Sequence, residues 1–263
     1  MMRGRGLLAA LLFGYAFLYL PILLLVVFSF NDSRLVTVWS GFSFRWYAAL
    51  WNNERLVEAA LLSLRIAAVS ATGAVMLGTL SGFALARLRF AGRKLFAGMV
   101  AAPLVMPEVI TGLSLLLLFV AMDQFLGWPA GRGADTITIA HTTFATAYVA
   151  VVVQSRLSDF DSSLEEAALD LGARPWKVFF VITLPIIAPA LASGWLLAFT
   201  LSLDDLVIAS FVSGPGASTL PMVVFSALRL GLTPELNALA TIIILLVAIV
   251  LFAAWRLAGF RPR

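Results

Sequence analysis

Six long apolar stretches constrain the fold of this chain more than any other feature of its sequence. They cover residues 7–30, 59–86, 95–121, 136–155, 178–212 and 237–258. A helix needs about 20 predominantly apolar residues to cross the roughly 30 Å hydrocarbon core of a bilayer. Only 12% of the 263 residues are charged, about half the share usual in a soluble domain. The sequence therefore predicts an all-α polytopic membrane protein with six transmembrane helices, forming one domain over residues 1–263.

The basic residues are distributed unevenly among the segments that connect these stretches. Six spans return the chain to its starting side, so both termini are predicted to face the same compartment. If that compartment is the cytoplasm, 12 of the 18 Lys and Arg residues lie in cytoplasmic segments, the bias expected of inner loops. They are Arg3, Arg5, Arg87, Arg89, Arg93, Lys94, Arg156, Arg174, Lys177, Arg256, Arg261 and Arg263. This topology explains the net charge of +4 without a nucleic-acid partner, and it places segment 156–177 in the cytoplasm.

The residues that the chain lacks exclude several kinds of site. It has no cysteine and a single histidine, His141. A thiolate metal site is excluded, and neither a His-based metal site nor a Ser-His-Asp catalytic triad is predicted. His141 is predicted to form hydrogen bonds within the helix bundle, with a role in proton relay as the alternative.

Segment 156–177, which reads RLSDFDSSLEEAALDLGARPWK, is a polar island between two apolar stretches. It contains two overlapping capping boxes, Ser162-x-x-Glu165 and Ser163-x-x-Glu166. In a capping box the hydroxyl accepts a hydrogen bond from the amide three residues later. Acidic side chains in the first turn are also favoured by the helix dipole. A helix is therefore predicted to begin here.

The second half of the same segment predicts a bend. Gly172 can adopt the left-handed conformation that ends a helix, and Pro175 suits the first turn of the next one. An apolar stripe at helical spacing precedes the bend; it consists of Leu164, Ala167, Ala168 and Leu171. The segment is predicted to be a helix, a sharp turn and a second helix that enters the membrane.

The spacing of this segment closely resembles the EAA loop of ABC-importer permeases. Glu166-Ala167-Ala168 is followed after three residues by Gly172 and after nine more by Ile182-x-Leu184-Pro185. In that family the loop forms a coupling helix that docks on a separate cytoplasmic ATPase. The resemblance implies this role for Glu165, Glu166, Ala167, Ala168, Leu171, Gly172, Ala173 and Pro175. Small alanine side chains permit close approach, and Glu166 can meet a basic residue of the partner.

The chain carries no ATPase motif of its own. Its two lysines, Lys94 and Lys177, are not part of a G-x-x-x-x-G-K-[ST] loop. No enzymatic activity and no cofactor are therefore predicted for this chain, and ATP and Mg²⁺ are expected in partner ATPase subunits.

The resemblance extends over nearly the whole chain. Residues 102–112, 200–216, 219–221 and 231–235 are similar to the spermidine/putrescine permeases. This implies the type I ABC-importer permease fold and a polyamine substrate, putrescine above all. It also implies a bacterial inner-membrane location, a homologous second permease, two ATPase subunits and a periplasmic polyamine-binding protein as partners.

Four carboxylates are candidates for the substrate pathway. Asp204 and Asp205 lie late in the fifth stretch, Glu108 follows Pro107 in the third, and Asp123 follows the third on the outer side. A carboxylate inside a membrane is costly unless it faces a polar cavity or a partner, and carboxylates suit a diamine. Neighbouring helical residues point about 100° apart, so only one of Asp204 and Asp205 can face the pathway. Asp204 is favoured; the other would cap a half-helix or meet a partner subunit.

Two alternatives remain at this point, and a third fails. An ABC permease for another solute, such as sulfate or phosphate, should expose arginines or helix N-termini to the cavity. A secondary transporter driven by an ion gradient would need no partner ATPase. An intramembrane hydrolase would need a nucleophile and base that the sequence does not suggest. The sequence also leaves open whether putrescine, cadaverine or spermidine is carried.

Overall fold

The computed structural model describes residues 2–35, 38–230 and 233–257. Apart from turns and one isolated bridge between Asn31 and Phe42, the described residues form helices, which confirms the all-α prediction. The helices are α1 (Met2–Phe28), α2 (Arg45–Trp51), α3 (Glu54–Arg87), α4 (Arg93–Val105), α5 (Glu108–Leu126), α6 (Ala134–Ser158), α7 (Ser163–Asp170), α8 (Pro175–Val178), α9 (Leu184–Leu203), α10 (Val207–Val212), α11 (Leu220–Leu230) and α12 (Pro234–Leu257). A π-helical segment, Phe179–Thr183, joins α8 to α9.

The described residues divide into two compact units. The smaller unit is drawn from Met1–Glu58 and Val224–Arg263, and the larger unit is Ala59–Val223. One domain over residues 1–263 stays a prediction. In the smaller unit, the apolar part of α1 has no buried residue among those whose side chains are described, as suits a helix that faces lipid. Trp46 is buried there and donates a 2.6 Å hydrogen bond from Nε1 to the Asn31 carbonyl.

Helix α6 is the centre of the larger unit. Its residues contribute to two hydrophobic clusters, one shared with α3, α5 and α10 and the other with α3 and α9. Ile137, Val149, Val153 and Leu157 are fully buried. Gly78 and Gly82 let α3 approach closely, since a Cβ at Gly78 would lie 2.6 Å from Val149 Cβ. This is the small-x-x-x-small packing common between membrane helices.

Five helices in the described part of the chain are long and apolar enough to cross a membrane. They correspond to the first five predicted spans, with two corrections. The predicted span 95–121 is divided between α4 and α5, because Pro107 has no backbone N–H and α4 ends at Val105. The predicted span 178–212 ends as a continuous helix at Leu203 and resumes as the short α10. Helix α12 covers the sixth span up to Leu257, and residue 258 lies outside the described residues.

Candidate functional site

The predicted bend in segment 156–177 is present. Gly172 has a φ of +84°. Its amide donates to the Leu169 carbonyl at 2.9 Å, and the Ala173 amide donates to the Ala168 carbonyl at 3.0 Å. These two bonds form the Schellman motif, which satisfies carbonyls left free at a helix end. Pro175 is the first residue of α8. The helix–turn–helix reading of this segment is therefore confirmed.

The two predicted capping boxes are not formed. Ser162 precedes α7 but has helical backbone angles, with φ −65° and ψ −15°, whereas a capping residue is usually extended. Its hydroxyl donates instead to Glu166 Oε1 at 3.1 Å. Asp161 accepts the Ser163 amide at 3.0 Å. Hydrogen bonds from the Ser163 backbone and side chain hold the pKa of the Asp161 carboxyl below its usual value.

Glu165 and Glu166 point in different directions although they are neighbours on α7. The Glu165 side chain is 14% exposed, and its Oε2 lies 3.1 Å from Nε of Arg87. Its Oε1 accepts a 2.5 Å hydrogen bond from the Thr183 hydroxyl. Glu166 is exposed. Of this pair, only Glu166 is exposed to a separate protein; its side chain accepts a hydrogen bond from Ser162 on the same short segment.

The outer side of this segment is apolar as well as acidic. Leu171 is 89% exposed, and Leu164 and Trp176 are more than half exposed. Ala167 is exposed, while Ala168 and Ala173 are half-buried. Exposed leucine and tryptophan next to a carboxylate are typical of a surface that binds another protein.

Asp204 and Asp205 both lie in the interruption between α9 and α10, but their surroundings differ. Asp204 ends α9, its amide donating to the Thr200 carbonyl at 3.1 Å, and it is exposed. The Asp205 side chain is 8% exposed. It accepts hydrogen bonds from the amides of Ile208, at 3.2 Å, and Ala209, at 2.7 Å. The prediction that one aspartate caps a half-helix is thus confirmed for Asp205.

His141 of α6 fixes the same interruption from the other side. Its Nε2 lies 3.0 Å from Asp205 Oδ2, and its Nδ1 lies 2.6 Å from the Ser202 hydroxyl oxygen. The predicted hydrogen bonding of His141 within the bundle is confirmed. These contacts bring a Ser, a His and an Asp together. The three side chains are packed against Phe144, Ala145 and Ile208, however, so they tie α6 to the interruption rather than face a substrate.

The other two candidate carboxylates lie at opposite ends of α5. Glu108 is its first residue and is exposed. Asp123 is fifteen positions later, about 22 Å away at 1.5 Å per residue, so the two cannot hold one small diamine together. Asp123 shares a cleft with Gln124 and Arg132, and a guanidinium there weakens its attraction for cations.

Three residues of these contacts were missed in the sequence. Arg87 was used only to assign topology, Thr183 is the unspecified position of Ile182-x-Leu184-Pro185, and Ser202 lies within the similar segment 200–216. The only sequence signal for these three residues is that each places a hydroxyl or a guanidinium group within or next to an apolar stretch. Among the described residues, no group of three or more His, Asp or Glu is arranged to hold a metal ion.

Comparison with protein families identifies one family over most of the chain. Residues 74–263 match the model of the binding-protein-dependent transport system inner membrane component. The putrescine transport system permease protein PotI of Escherichia coli strain K12 is 64% identical over 94% of this chain and 88% of its own length. The spermidine/putrescine transport system permease protein PotC of the same strain is 43% identical over 91% and 89%.

Solved structures share the fold at low sequence identity. A chain of the bacterial alginate ABC transporter, crystallised with an alginate pentasaccharide-bound periplasmic protein, matches with a TM-score of 0.73 and 18% identity, over 96% of this chain and 92% of that one. A chain of the MetNI methionine ABC transporter in an inward-facing conformation matches with a TM-score of 0.63 and 18% identity, over 77% and 94%. The predicted permease fold is therefore confirmed.

Proposed function

This chain belongs to the family of binding-protein-dependent transport system inner membrane components, and from that premise we propose that it is a permease subunit of an ATP-driven polyamine importer, with putrescine as its main substrate. The observation that carries the substrate class is the high identity to the putrescine permease over nearly the whole chain. The chemistry of the chain agrees, because its exposed Asp204 lies where α9 is interrupted. A carboxylate inside a membrane protein favours a cationic substrate over an anionic one.

The complex we propose contains this chain, a homologous second permease, two ATPase subunits and a periplasmic polyamine-binding protein in the bacterial inner membrane. Both termini and segment 156–177 face the cytoplasm. The ATPase supplies the ATP and Mg²⁺ sites, and this chain binds neither. The exposed Glu166 and the apolar side chains of Leu164, Leu171 and Trp176 are the surface that meets the ATPase.

In the proposed cycle, ATP binding closes the ATPase pair and moves α7. Segment 165–177 passes this movement to the membrane helices. The cavity between the two permeases then opens to the periplasm and accepts the polyamine from its binding protein, by alternating access. Asp204 attracts one ammonium group of the substrate in that cavity, and Asp205 holds the interruption that presents Asp204.

The test is uptake by the complete complex in proteoliposomes. With ATP inside and the binding protein outside, labelled putrescine should accumulate, with cadaverine and spermidine as competitors and sulfate as the anionic control. A complex whose ATPase is catalytically inactive should accumulate none. Uptake that continues with the inactive ATPase would contradict the proposal and favour an ion-gradient transporter, and uptake of sulfate in place of diamines would contradict the substrate class.

A further inference from the structure

One carboxylate, that of Glu165, joins α7 to two membrane helices of the larger unit. Arg87, to which it is paired at 3.1 Å, is the last residue of α3. Thr183, which donates to it at 2.5 Å, is the last residue of the π-helical segment that continues into α9. Thr183 is 1% exposed. Because these groups are largely shielded from water, their interaction is weakened little by salt.

Arg87 extends the connection to the chain that leaves α6. Its Nη2 donates a 3.4 Å hydrogen bond to the Phe160 carbonyl, and its guanidinium lies 5.4 Å from the centre of the Phe160 ring. Phe160 lies between α6 and α7. The Arg87 side chain is 20% exposed. Movement of α7 therefore changes the surroundings of a charge that is anchored at the end of α3.

The helix that receives the Thr183 contact is weakened beside that contact. Pro185 has no N–H to donate to the carbonyl four residues earlier, and Pro189 has the same defect one turn later. The turn before Pro185 is π-helical, from Phe179 to Thr183. Short π segments inside longer helices occur mostly at functional sites. The backbone between 179 and 189 is therefore the part of this long helix that bends most easily.

We propose that Arg87 and Thr183 are positioning residues, which transmit the movement of α7 to α3 and α9 through the carboxylate of Glu165. This inference rests on the proposed function, since it assumes that a partner moves α7. Without the side-chain link, α7 and α9 are joined through the turn at Gly172 and the short α8. A glycine turn absorbs rotation, whereas a shielded ion pair and hydrogen bond carry it across the turn.

The link is tested by exchanging its charges in the complete reconstituted complex. The variants are Arg87→Glu, Glu165→Arg and the double variant, and the quantity measured is putrescine taken up per ATP hydrolysed. Each single variant should lower this ratio about fivefold, a common size for the loss of a coupling contact, while ATP hydrolysis continues. The double variant should recover at least half of the ratio. Arg89→Glu is the matched control, because Arg89 is exposed, and it should leave the ratio unchanged.

Thr183→Val tests the second arm of the link. Valine has nearly the shape of threonine but lacks the hydroxyl, so the pairing of Glu165 with Arg87 stays intact. The ratio of uptake to hydrolysis should fall about twofold, at the lower end of the effects expected for coupling residues, because the ion pair of Glu165 with Arg87 remains. A Thr183→Ser variant, which keeps the hydroxyl, should have the wild-type ratio of uptake to hydrolysis.

A purely structural role gives a different result. Uptake and hydrolysis would then fall in proportion, and their ratio would stay unchanged in the single variants. That outcome, or a ratio that falls in the single variants and is not recovered by the double exchange, overturns the proposal. Failure of the proposed function looks different, because the wild-type complex would take up no putrescine.

The link can then be tested without transport, by measuring how fast a thiol reagent labels a cysteine introduced on α9. Leu196→Cys is suitable, because Leu196 is 43% exposed and the chain has no other cysteine. ATP should change its labelling rate, the Arg87→Glu variant should abolish that change, and the double exchange should restore it. No change with ATP in the wild-type complex would also overturn the link.

Discussion

Two regions of the larger unit carry the same pair of acidic neighbours in different settings. At the start of α7 the pair is Glu165 and Glu166, and at the end of α9 it is Asp204 and Asp205. In each pair one side chain is largely buried and bonded to other parts of the chain, 14% exposed for Glu165 and 8% for Asp205. The other is exposed. Each region thus contains a carboxylate that holds the structure and a neighbouring carboxylate that is exposed to another molecule.

The difference between the two regions lies in what the buried carboxylate holds. Asp205 accepts two amides of α10 and contacts His141, which fixes an interruption inside the membrane region. Glu165 instead joins side chains from two separate helices, Arg87 and Thr183. The contacts of Asp205 with the first amides of α10 fix the backbone conformation of the interruption. The contacts of Glu165 connect α7 to two other helices, which can move relative to one another. The first region is therefore suited to hold a site, and the second to transmit a movement.

The largest effect is expected from reversing the exposed charge of α7. Glu166→Lys should abolish ATP-driven uptake, because a basic residue of the ATPase would then meet a like charge. The variant should insert and assemble with the second permease, since the side chain is exposed. Uptake in proteoliposomes, with assembly checked by co-purification, measures this. Asp159→Lys, an exposed change outside α7, is the control, and normal uptake by Glu166→Lys would disprove its coupling role.

Removal of the buried aspartate should have the largest effect on stability. Asp205→Ala leaves two α10 amides and His141 without their acceptor, and a buried polar group left unpaired costs about 1–3 kcal/mol. The thermal unfolding midpoint of the purified protein in nanodiscs should fall by several degrees. Asp204→Ala is the matched control and should leave the midpoint unchanged. Equal losses in the two variants would remove the distinction between the two aspartates.

Neutralising the exposed aspartate should affect transport and leave stability unchanged. Asp204→Asn should lower putrescine uptake about tenfold, which corresponds to about 1.4 kcal/mol, because one counter-charge for the diamine is lost. Initial uptake rates over a range of putrescine concentrations measure this. Asp123→Asn should have a smaller effect, since Asp123 lies at the end of α5 beside Arg132. Unchanged kinetics for Asp204→Asn would remove it from the pathway.

The smallest effect is expected at the turn between α7 and α8. Gly172→Ala places a Cβ on a residue with a φ of +84°, at a cost of about 1 kcal/mol. Hydrogen exchange of the α7 amides should accelerate, because the Schellman bonds at its end weaken. Gly98→Ala is the control, since Gly98 is inside α4 with open space around it. Equal exchange rates in wild type and Gly172→Ala would show that the turn does not hold α7.

The sequence predicted the features that depend on local chemistry. Gly172 ends a helix and Pro175 begins one through the backbone properties of the residues themselves, and the structure shows both. The expected capping at Ser162 failed because the residue has helical angles, which no short motif reveals. The interruption at Pro107 was overlooked because hydropathy continues across it. The contacts of Arg87 and of Ser202 come from distant parts of the chain, and a single sequence gives no signal for such pairs.

Each acidic pair divides into a largely buried carboxylate that bonds to distant parts of the chain and a carboxylate that is exposed. The most direct measurement is the thermal unfolding midpoint of four single variants in nanodiscs: Glu165→Gln, Glu166→Gln, Asp204→Asn and Asp205→Asn. The midpoint should fall by several degrees for Glu165→Gln and Asp205→Asn, and should stay within about 1 °C of wild type for the other two. An equal fall in all four variants, or a fall confined to Glu166→Gln and Asp204→Asn, would contradict the claim.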